Sequence, residues 1–276
     1  MTDPKQLKPP LKWAGGKRWL VPKLRLVWQD YQDYQLVEPF CGGLAIALGL
    51  SPQRAILNDI NPHVINFYRH LKKGLAIELK MANNQGLYYQ CRERFNQLVY
   101  DGKEATPEAA ILFYYLNHTG FNGLCRFNSK GMFNVPFGRY KKINYCTDFS
   151  AYKTAFQHWD FQWGDFEEIT VDDRSFIYAD PPYDVEFRQY SAGGFRWEDQ
   201  ERLALWLAAQ KAPVIASNQA TERILKLYQK LGFSIQTLPA PRRIACNGDR
   251  TPALEMLALR GCLKRVWQAE KKRFSL

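Results

Sequence analysis

Short apolar segments alternate with amphipathic helical segments at both ends of this 276-residue chain, and this alternation constrains its fold more than any other feature. The first apolar segments are residues 35–40 and 55–60, and a helical pattern follows each of them. The alternation returns with apolar segments at 175–180 and 213–218. Strands that alternate with helices predict an α/β fold with a mostly parallel sheet, covered by helices on both faces.

The middle of the chain, from about residue 75 to 165, breaks this pattern. Residues 107–120 predict a helix with a proline in its first turn. Residues 121–142 predict two short strands joined at Asn128-Ser129-Lys130-Gly131. The middle segment is therefore interpreted as a helical subdomain that carries a β-hairpin and is inserted into the sheet domain.

The last two apolar segments, 233–240 and 253–259, have no helix between them, so we expect them to pair antiparallel. The whole pattern predicts two domains. Residues 1–72 and 165–276 form the sheet domain, and residues 73–164 form the insertion.

Glycines and acids stand where predicted strands end. The first strand leads into Glu38-Pro39-Phe40-Cys41-Gly42-Gly43, a turn where glycine lets a ligand approach the backbone. Asp59 ends the next strand, where an acid can accept both hydroxyls of a ribose or cap the following helix. Asp180 ends a later strand. Since ligands gather outside the carboxyl ends of such strands, we expect Gly42, Asp59 and Asp180 to rim one crevice for a nucleoside cofactor.

The tetrapeptide Asp180-Pro181-Pro182-Tyr183 ends an apolar run and has two interpretations. It can be a simple turn, because consecutive prolines cannot continue a ladder of hydrogen bonds. It can also hold a carboxylate, a backbone carbonyl and an aromatic ring rigidly around a planar amine. Both oxygens would then accept the amine hydrogens and Tyr183 would stack on the ring. A base inside a duplex reaches such a pocket only when it is flipped out.

The glycine-rich segment 12–18, KWAGGKR, is not a phosphate-binding P-loop. Leu11 stands where that pattern needs glycine, and Arg18 stands where it needs serine or threonine. Trp13 and Lys17 either line the cofactor crevice or are a packed tryptophan and a solvated lysine.

The basic composition favours an anionic partner. The formal net charge is +11 and the isoelectric point is about 9.3. Residues 121–142 contain five aromatic residues, no acid and five basic residues: Arg126, Lys130, Arg139, Lys141 and Lys142. Basic groups between aromatic rings are typical of phosphate contact, base reading and stacking, so this segment favours nucleic acid.

Other classes of site lack support in the sequence. The six cysteines include no CxxC pair and the four histidines have no metal-ligand spacing, so we expect no metal, no disulfide framework and a reducing, cytoplasmic compartment. The apolar runs are too short for a membrane span, and the amino terminus has no apolar signal region, so we expect no membrane partner.

Taken together, several segments resemble the Dam-type DNA adenine-N6 methyltransferases over nearly the whole chain. They are LKWAGGK (11–17), LVEPF (36–40), NDIN (58–61), FNGLCRFN (121–128), FNVPFGRYKK (133–142), DPPY (180–183) and SN (217–218). Their order is that of the alpha group of this family: cofactor motif, target-recognition region, catalytic motif.

The resemblance implies a Rossmann-like methyltransferase domain that uses S-adenosyl-L-methionine, with residues 73–164 as the target-recognition domain. The implied cofactor-binding residues are Trp13, Lys17, Phe40, Gly42, Asp59 and Asp180. The implied catalytic residues, which hold the flipped adenine, are Asp180, Pro181, Pro182 and Tyr183. The implied DNA-binding residues are Lys12, Phe121, Asn122, Leu124, Arg126, Pro136, Arg139 and Tyr140.

Two positions depart from the family pattern. Where the family has Phe-x-Gly-x-Gly, this chain has Phe40-Cys41-Gly42-Gly43-Leu44, which moves the second glycine forward. Phe121 stands where related enzymes insert a tyrosine into the base stack, so stacking is kept and a hydroxyl is lost.

We therefore expect methyl transfer from S-adenosylmethionine to adenine N6 in double-stranded DNA, with GATC as the target and a monomer as the acting species. The amine would attack the sulfonium methyl group in line and lose its surplus proton to water. The alternatives are a cytosine-N4 or RNA amino methyltransferase, and a DNA-binding protein that keeps the fold without catalysis.

Overall fold

A computed structural model of the chain describes residues 7–183, 194–240 and 253–261. Its seven strands form a single sheet. They are β1 (Gln35–Glu38), β2 (Arg54–Asp59), β3 (Trp159–Trp163), β4 (Ser175–Ala179), β5 (Val214–Gln219), β6 (Ser234–Ala240) and β7 (Ala253–Arg260). The order is β3-β2-β1-β4-β5-β7-β6, with the first five strands parallel and β7 antiparallel to both β5 and β6. The predicted Rossmann-like sheet and its antiparallel last pair are confirmed.

Eight α-helices accompany the sheet in the described part of the chain. They are α1 (Val21–Trp28), α2 (Ala45–Leu50), α3 (Pro62–Lys73), α4 (Gln85–Tyr100), α5 (Pro107–Thr119), α6 (Ser150–Ala155), α7 (Trp197–Ala209) and α8 (Glu222–Lys230). Local signals explain their ends. The Asn61 side chain accepts a hydrogen bond from the His63 N–H at the start of α3, and Gly74 ends that helix with a φ of 92°.

Two hydrophobic cores form on the two faces of the sheet, because neighbouring residues of a strand point to opposite faces. In β4, Phe176 and Tyr178 are buried in one core, and Ile177 and Ala179 are buried in the other. The first core contains side chains of α1 to α6, and the second contains side chains of α7 and α8. Helices therefore cover both faces, as the alternation predicted.

The structure adds three elements that the sequence analysis missed: α4, α6 and β3. Strand β3 lies inside the segment predicted as an insertion, yet it pairs with β2 at the edge of the sheet. Its signal was an alternation of buried Trp159 and Phe161 with exposed or half-buried Asp160 and Gln162. The division of the chain into two domains stays a prediction.

The hairpin predicted in residues 121–142 is corrected. The chain does turn at Asn128, but no strand is formed there, and the two arms meet in isolated antiparallel bridges, Gly120 with Phe137 and Phe127 with Phe133. The Asn128 N–H donates to the Met132 carbonyl and the Asn134 N–H donates to the Arg126 carbonyl. Asn96 of α4 binds both the N–H and the carbonyl of Phe133, so a helix satisfies these backbone groups.

No helix in the described part of the chain combines the length and apolarity needed to span a bilayer. Cys41, Cys91, Cys125 and Cys146 are free thiols, while Cys246 and Cys262 lie outside the described residues.

Candidate active site

Acidic side chains converge at the carboxyl ends of the parallel strands. Glu38 and Asp59 end β1 and β2, and Asp180 follows β4. Strand β7 runs in the opposite direction and pairs Glu255 with Gln219, the last residue of β5, which brings a fourth carboxyl group to the same end of the sheet. In open α/β sheets, ligands bind outside the carboxyl ends of the strands.

Asp59 is held by the glycine turn. Its Oδ2 accepts a hydrogen bond from the Gly42 N–H at 3.0 Å, and its Oδ1 accepts one from the Asn61 N–H at 2.9 Å. The cap of α3 is Asn61, so Asp59 is not the helix cap. Burial raises the pKa of the Asp59 carboxyl to about 6, while the two N–H groups oppose that shift.

Trp13 packs directly on the glycine turn. A Cβ atom at Gly42 would lie 2.5 Å from Trp13 Nε1, and one at Gly43 would lie 2.7 Å from Trp13 Cβ. Both positions therefore exclude larger residues. The next residue, Leu44, has a φ of 61° in the left-handed region that favours glycine, at the position where the family pattern has its second glycine. Its side chain is buried in the first core.

Lys17 and Ser217 hold the Asp180 carboxylate. Lys17 is buried, with its Nζ 2.9 Å from Asp180 Oδ1 and 3.1 Å from the Gly15 carbonyl oxygen. The Ser217 hydroxyl donates to the same Oδ1 at 2.9 Å. No described residue donates to Asp180 Oδ2. The lysine is thus not a solvated side chain, and among the described residues only one of the two carboxylate oxygens has donors.

A second carboxyl group and an aromatic ring complete this cluster. Lys17 Nζ lies 3.6 Å from Glu255 Oε1 and 4.5 Å from the centroid of the Tyr183 ring. Burial raises the pKa of Glu255, and the Lys17 charge opposes that shift. Burial, with nearby Asp180 and Glu255, also raises the pKa of the Tyr183 hydroxyl. Tyr183 is therefore neutral at physiological pH.

The region predicted to bind DNA forms a groove of about 330 Å³. It is lined by Phe121, Asn122, Phe137, Gly138, Arg139 and Tyr140. Lys12 comes from the amino-terminal segment and places its Nζ 3.8 Å from the Tyr140 ring centroid. Burial lowers the pKa of Lys12.

Three other predicted DNA contacts, Leu124, Arg126 and Pro136, do not line that groove. Arg126 is exposed, and its guanidinium donates through Nε and Nη2 to the side-chain and backbone oxygens of Asn134. Pro136 is exposed and Leu124 is half-buried against the first core. The structure therefore divides the candidate residues into a groove group and an Arg126 group.

Comparison with known proteins decides the family. Residues 13–244 match the family described as D12 class N6 adenine-specific DNA methyltransferase. The chain belongs to this family. As a member of the D12 methyltransferases, it is an enzyme that methylates adenine N6 in DNA.

Individual relatives agree with this assignment. The chain is 36% identical to a DNA adenine methylase of Vibrio cholerae, over 90% of this chain and 94% of the relative. It is 32% identical to the retron Ec67 DNA adenine methylase of Escherichia coli, over 93% of this chain and 92% of the relative. It is 33% identical to the DNA N-6-adenine-methyltransferase of Escherichia phage P1 over 86% of this chain, but it spans only 33% of that relative.

Two buried polar residues of this methyltransferase were missed in the sequence. Glu255 is an acid within the apolar run 253–259, and Gln200 occupies a buried stripe of α7 otherwise formed by Leu203, Ala204 and Leu207. Polar residues that interrupt a buried stripe need a partner, so each interruption was itself a usable signal.

Proposed function

We propose that this enzyme transfers the methyl group of S-adenosyl-L-methionine to N6 of an adenine flipped out of double-stranded DNA, within GATC. The observation that carries this proposal is the Asp180 carboxylate, because Lys17 and Ser217 hold Oδ1 while no described residue donates to Oδ2. A positioned acceptor of this kind suits a planar amine that must become nucleophilic.

The crevice beside Asp59 fits the proposed cofactor. Each oxygen of this buried carboxylate receives one backbone N–H, so each can accept one further donor, as two ribose hydroxyls provide. Ile60 follows β2 and Trp163 ends β3, and both side chains are exposed at the same end of the sheet. The Trp163 indole N–H donates to the Ile60 carbonyl, and the two side chains offer an apolar surface for a base ring. Trp13, Lys17, Phe40 and Gly42 complete the proposed set. When bound, the cofactor supplies a methyl group on a sulfonium.

The tetrapeptide after β4 is proposed to hold the adenine. Asp180 Oδ2 accepts one hydrogen of the amino group and a carbonyl of the Pro181-Pro182 step accepts the other, which directs the nitrogen lone pair out of the ring plane. Tyr183 stacks on the base. The half-buried position of Tyr183 keeps its ring available at the mouth of the site.

DNA recognition is proposed for the groove and the Arg126 group. Phe121 is 48% exposed and able to enter the base stack, with Asn122 beside it. Arg126 is proposed to bind guanine O6 and N7. Since Nε and one N–H of Nη2 bind Asn134, the far edge of the guanidinium keeps an N–H on each Nη for the guanine. Lys12, Leu124, Pro136, Arg139 and Tyr140 are proposed as the remaining contacts.

The test uses purified enzyme, labelled S-adenosylmethionine and matched duplexes that contain GATC or a permutation of it. N6-methyladenine in GATC alone is expected. N6-methyladenine in another context overturns the roles of Arg126, Leu124 and Pro136 and keeps the reaction. N4-methylcytosine as the product would overturn the proposed substrate. Analytical ultracentrifugation of the enzyme on one duplex tests the proposed monomer.

A further inference from the structure

Three hydrogen bonds in series connect strand β5 to the Pro181-Pro182 step. The Gln219 N–H donates to Asn218 Oδ1 at 2.8 Å, and Asn218 Nδ2 donates to Gln200 Oε1 at 2.9 Å. Gln200 Nε2 then donates to the Pro182 carbonyl oxygen at 2.8 Å. Gln200 and Asn218 are both fully buried at 0% exposure, so water does not replace the bond between them.

The direction of this series is set by the backbone. The Gln219 N–H can only donate, so the Asn218 side chain must present its oxygen there and its NH₂ group toward Gln200. Gln200 must accept that NH₂ group with Oε1, which leaves Nε2 for Pro182. A flipped Gln200 amide would place two donors together at Asn218 and two acceptors together at Pro182. The buried site therefore allows one orientation of both amides.

The Pro182 carbonyl is the useful point to hold. Each proline ring locks φ, so the peptide planes of the Pro181-Pro182 step turn mainly through ψ. A hydrogen bond from Gln200 to the Pro182 oxygen limits that remaining freedom. It also turns this oxygen toward α7, whereas no described residue donates to the Pro181 oxygen. Of the two proline carbonyls, that of Pro181 is therefore the one without a donor among the described residues.

Two adjacent residues of β5 support the two acceptors of the amine. Ser217 donates to Asp180 Oδ1, while Asn218 acts on the Pro182 carbonyl through Gln200. Neighbouring side chains of a strand point to opposite faces, so β5 supports the carboxylate from one face and the carbonyl from the other. We propose that Gln200 is a positioning residue, which holds the Pro181-Pro182 step so that the Pro181 carbonyl accepts the second amino hydrogen. This inference rests on the function proposed above.

The first test replaces Gln200 by methionine, which has a similar length and no donor. Displacement of an acceptor by a fraction of an ångström to one ångström should lower kcat roughly 10- to 100-fold. KM for S-adenosylmethionine should stay unchanged, because the proposed contacts of the cofactor at Asp59 are not altered. The matched control is Gln210→Met at the end of the same helix, where the Gln210 side chain donates to the Trp206 carbonyl. Unchanged kcat in folded Gln200→Met overturns the proposal.

The second test uses Gln200→Glu and a pH profile. A protonated glutamic acid can donate to the Pro182 oxygen, whereas its carboxylate repels that oxygen. At saturating cofactor and DNA, kcat of this variant relative to the unaltered enzyme should rise as the pH falls. Gln200→Met should show no such rise. A flat ratio for Gln200→Glu argues for a merely structural role and overturns the proposal, and it does so even when Gln200→Met fails to fold.

The third test uses Asn218→Asp, which still accepts from Gln219 but no longer donates to Gln200. As a single change, Asn218→Asp should lower kcat. In combination with Gln200→Met it should lower kcat no further, since both changes act through one hydrogen bond. Additive losses overturn the proposed series. Failure of the proposed function is a separate result, because the unaltered enzyme would then form no N6-methyladenine in any duplex.

Discussion

The ammonium group of Lys17 lies 2.9 Å from Asp180 Oδ1, with the lysine side chain 5% exposed and the aspartate side chain 21% exposed. Lys17 precedes the first helix and Asp180 follows the fourth strand, so only the folded chain brings them together. The lysine also faces Glu255, which makes it a cation shared by two carboxyl groups. A buried charge of this kind must be matched by opposite charge or hydrogen bonds.

Lys17→Met should destabilise the fold by about 3–5 kcal/mol at pH 8, because it leaves carboxyl groups without their cation. Lys17 opposes the upward pKa shift of Glu255, so its removal raises that pKa further. A raised folded-state pKa means that stability is retained at low pH and lost as pH rises, so the loss should be smaller at pH 5. Urea unfolding at both pH values measures this.

The matched control for Lys17 is Lys226→Met, since Lys226 pairs with Glu222 on the exposed surface of α8. That change should remove no more than about 1 kcal/mol. Equal losses for the two variants would contradict the buried role of Lys17.

Affinity for S-adenosylmethionine should weaken as the pH falls through about 6, the raised pKa of Asp59. Hydroxyl donors favour the ionised carboxylate, so ligand binding must expel a proton from Asp59 below that pH. Isothermal titration calorimetry between pH 5 and pH 8 in two buffers of different ionisation enthalpy measures the affinity and the number of protons released on binding. Proton release near pH 6 is expected, and Asp59→Asn should abolish it. A pH-independent affinity would remove Asp59 from the cofactor site.

Gly43→Ala should destabilise the protein by about 1–3 kcal/mol, because its Cβ would lie 2.7 Å from Trp13 Cβ. Trp13→Gly should remove most of this penalty in the double variant, because it takes away the Cβ atom that alanine at position 13 would keep. Gly16→Ala is the control, since its Cβ would meet nothing closer than the Trp13 carbonyl oxygen at 3.6 Å. Thermal unfolding of all four variants tests this, and an unrelieved penalty in the double variant counts against the proposed contact.

Arg126→Ala should relax sequence choice at one base pair, with about 1–3 kcal/mol of discrimination lost there. Affinity for the cofactor should not change, because the Arg126 side chain hydrogen-bonds to Asn134 and is not among the proposed cofactor-binding residues. Lys130→Ala, on the exposed turn of the same segment, should weaken binding to all duplexes alike and reduce the salt dependence. Methylation rates on duplexes with single substitutions in GATC separate the two patterns. Uniform loss on all duplexes would exclude base reading by Arg126.

Much of the fold was predictable because its signals are local. The alternation of strands with helices, the glycine stop at residue 74 and the antiparallel last strands each follow from a few neighbouring residues. The predicted two-stranded hairpin was wrong, since its arms form only bridges and no strand. Asn96 of α4 takes the backbone groups of Phe133, and nothing near Phe133 in the sequence indicates that partner.

The candidate site divides in the same way. The ends of the strands follow from the sequence pattern, so Asp59, Asp180 and the glycine turn are predictable as candidate site residues. The burial of Lys17 against Asp180, the approach of Glu255 and the hydrogen bond from Gln200 to the Pro182 carbonyl follow from the folded structure alone. Periodicity and turn residues act within a few positions, whereas these contacts depend on strand order and register, which the packing of the whole sheet sets.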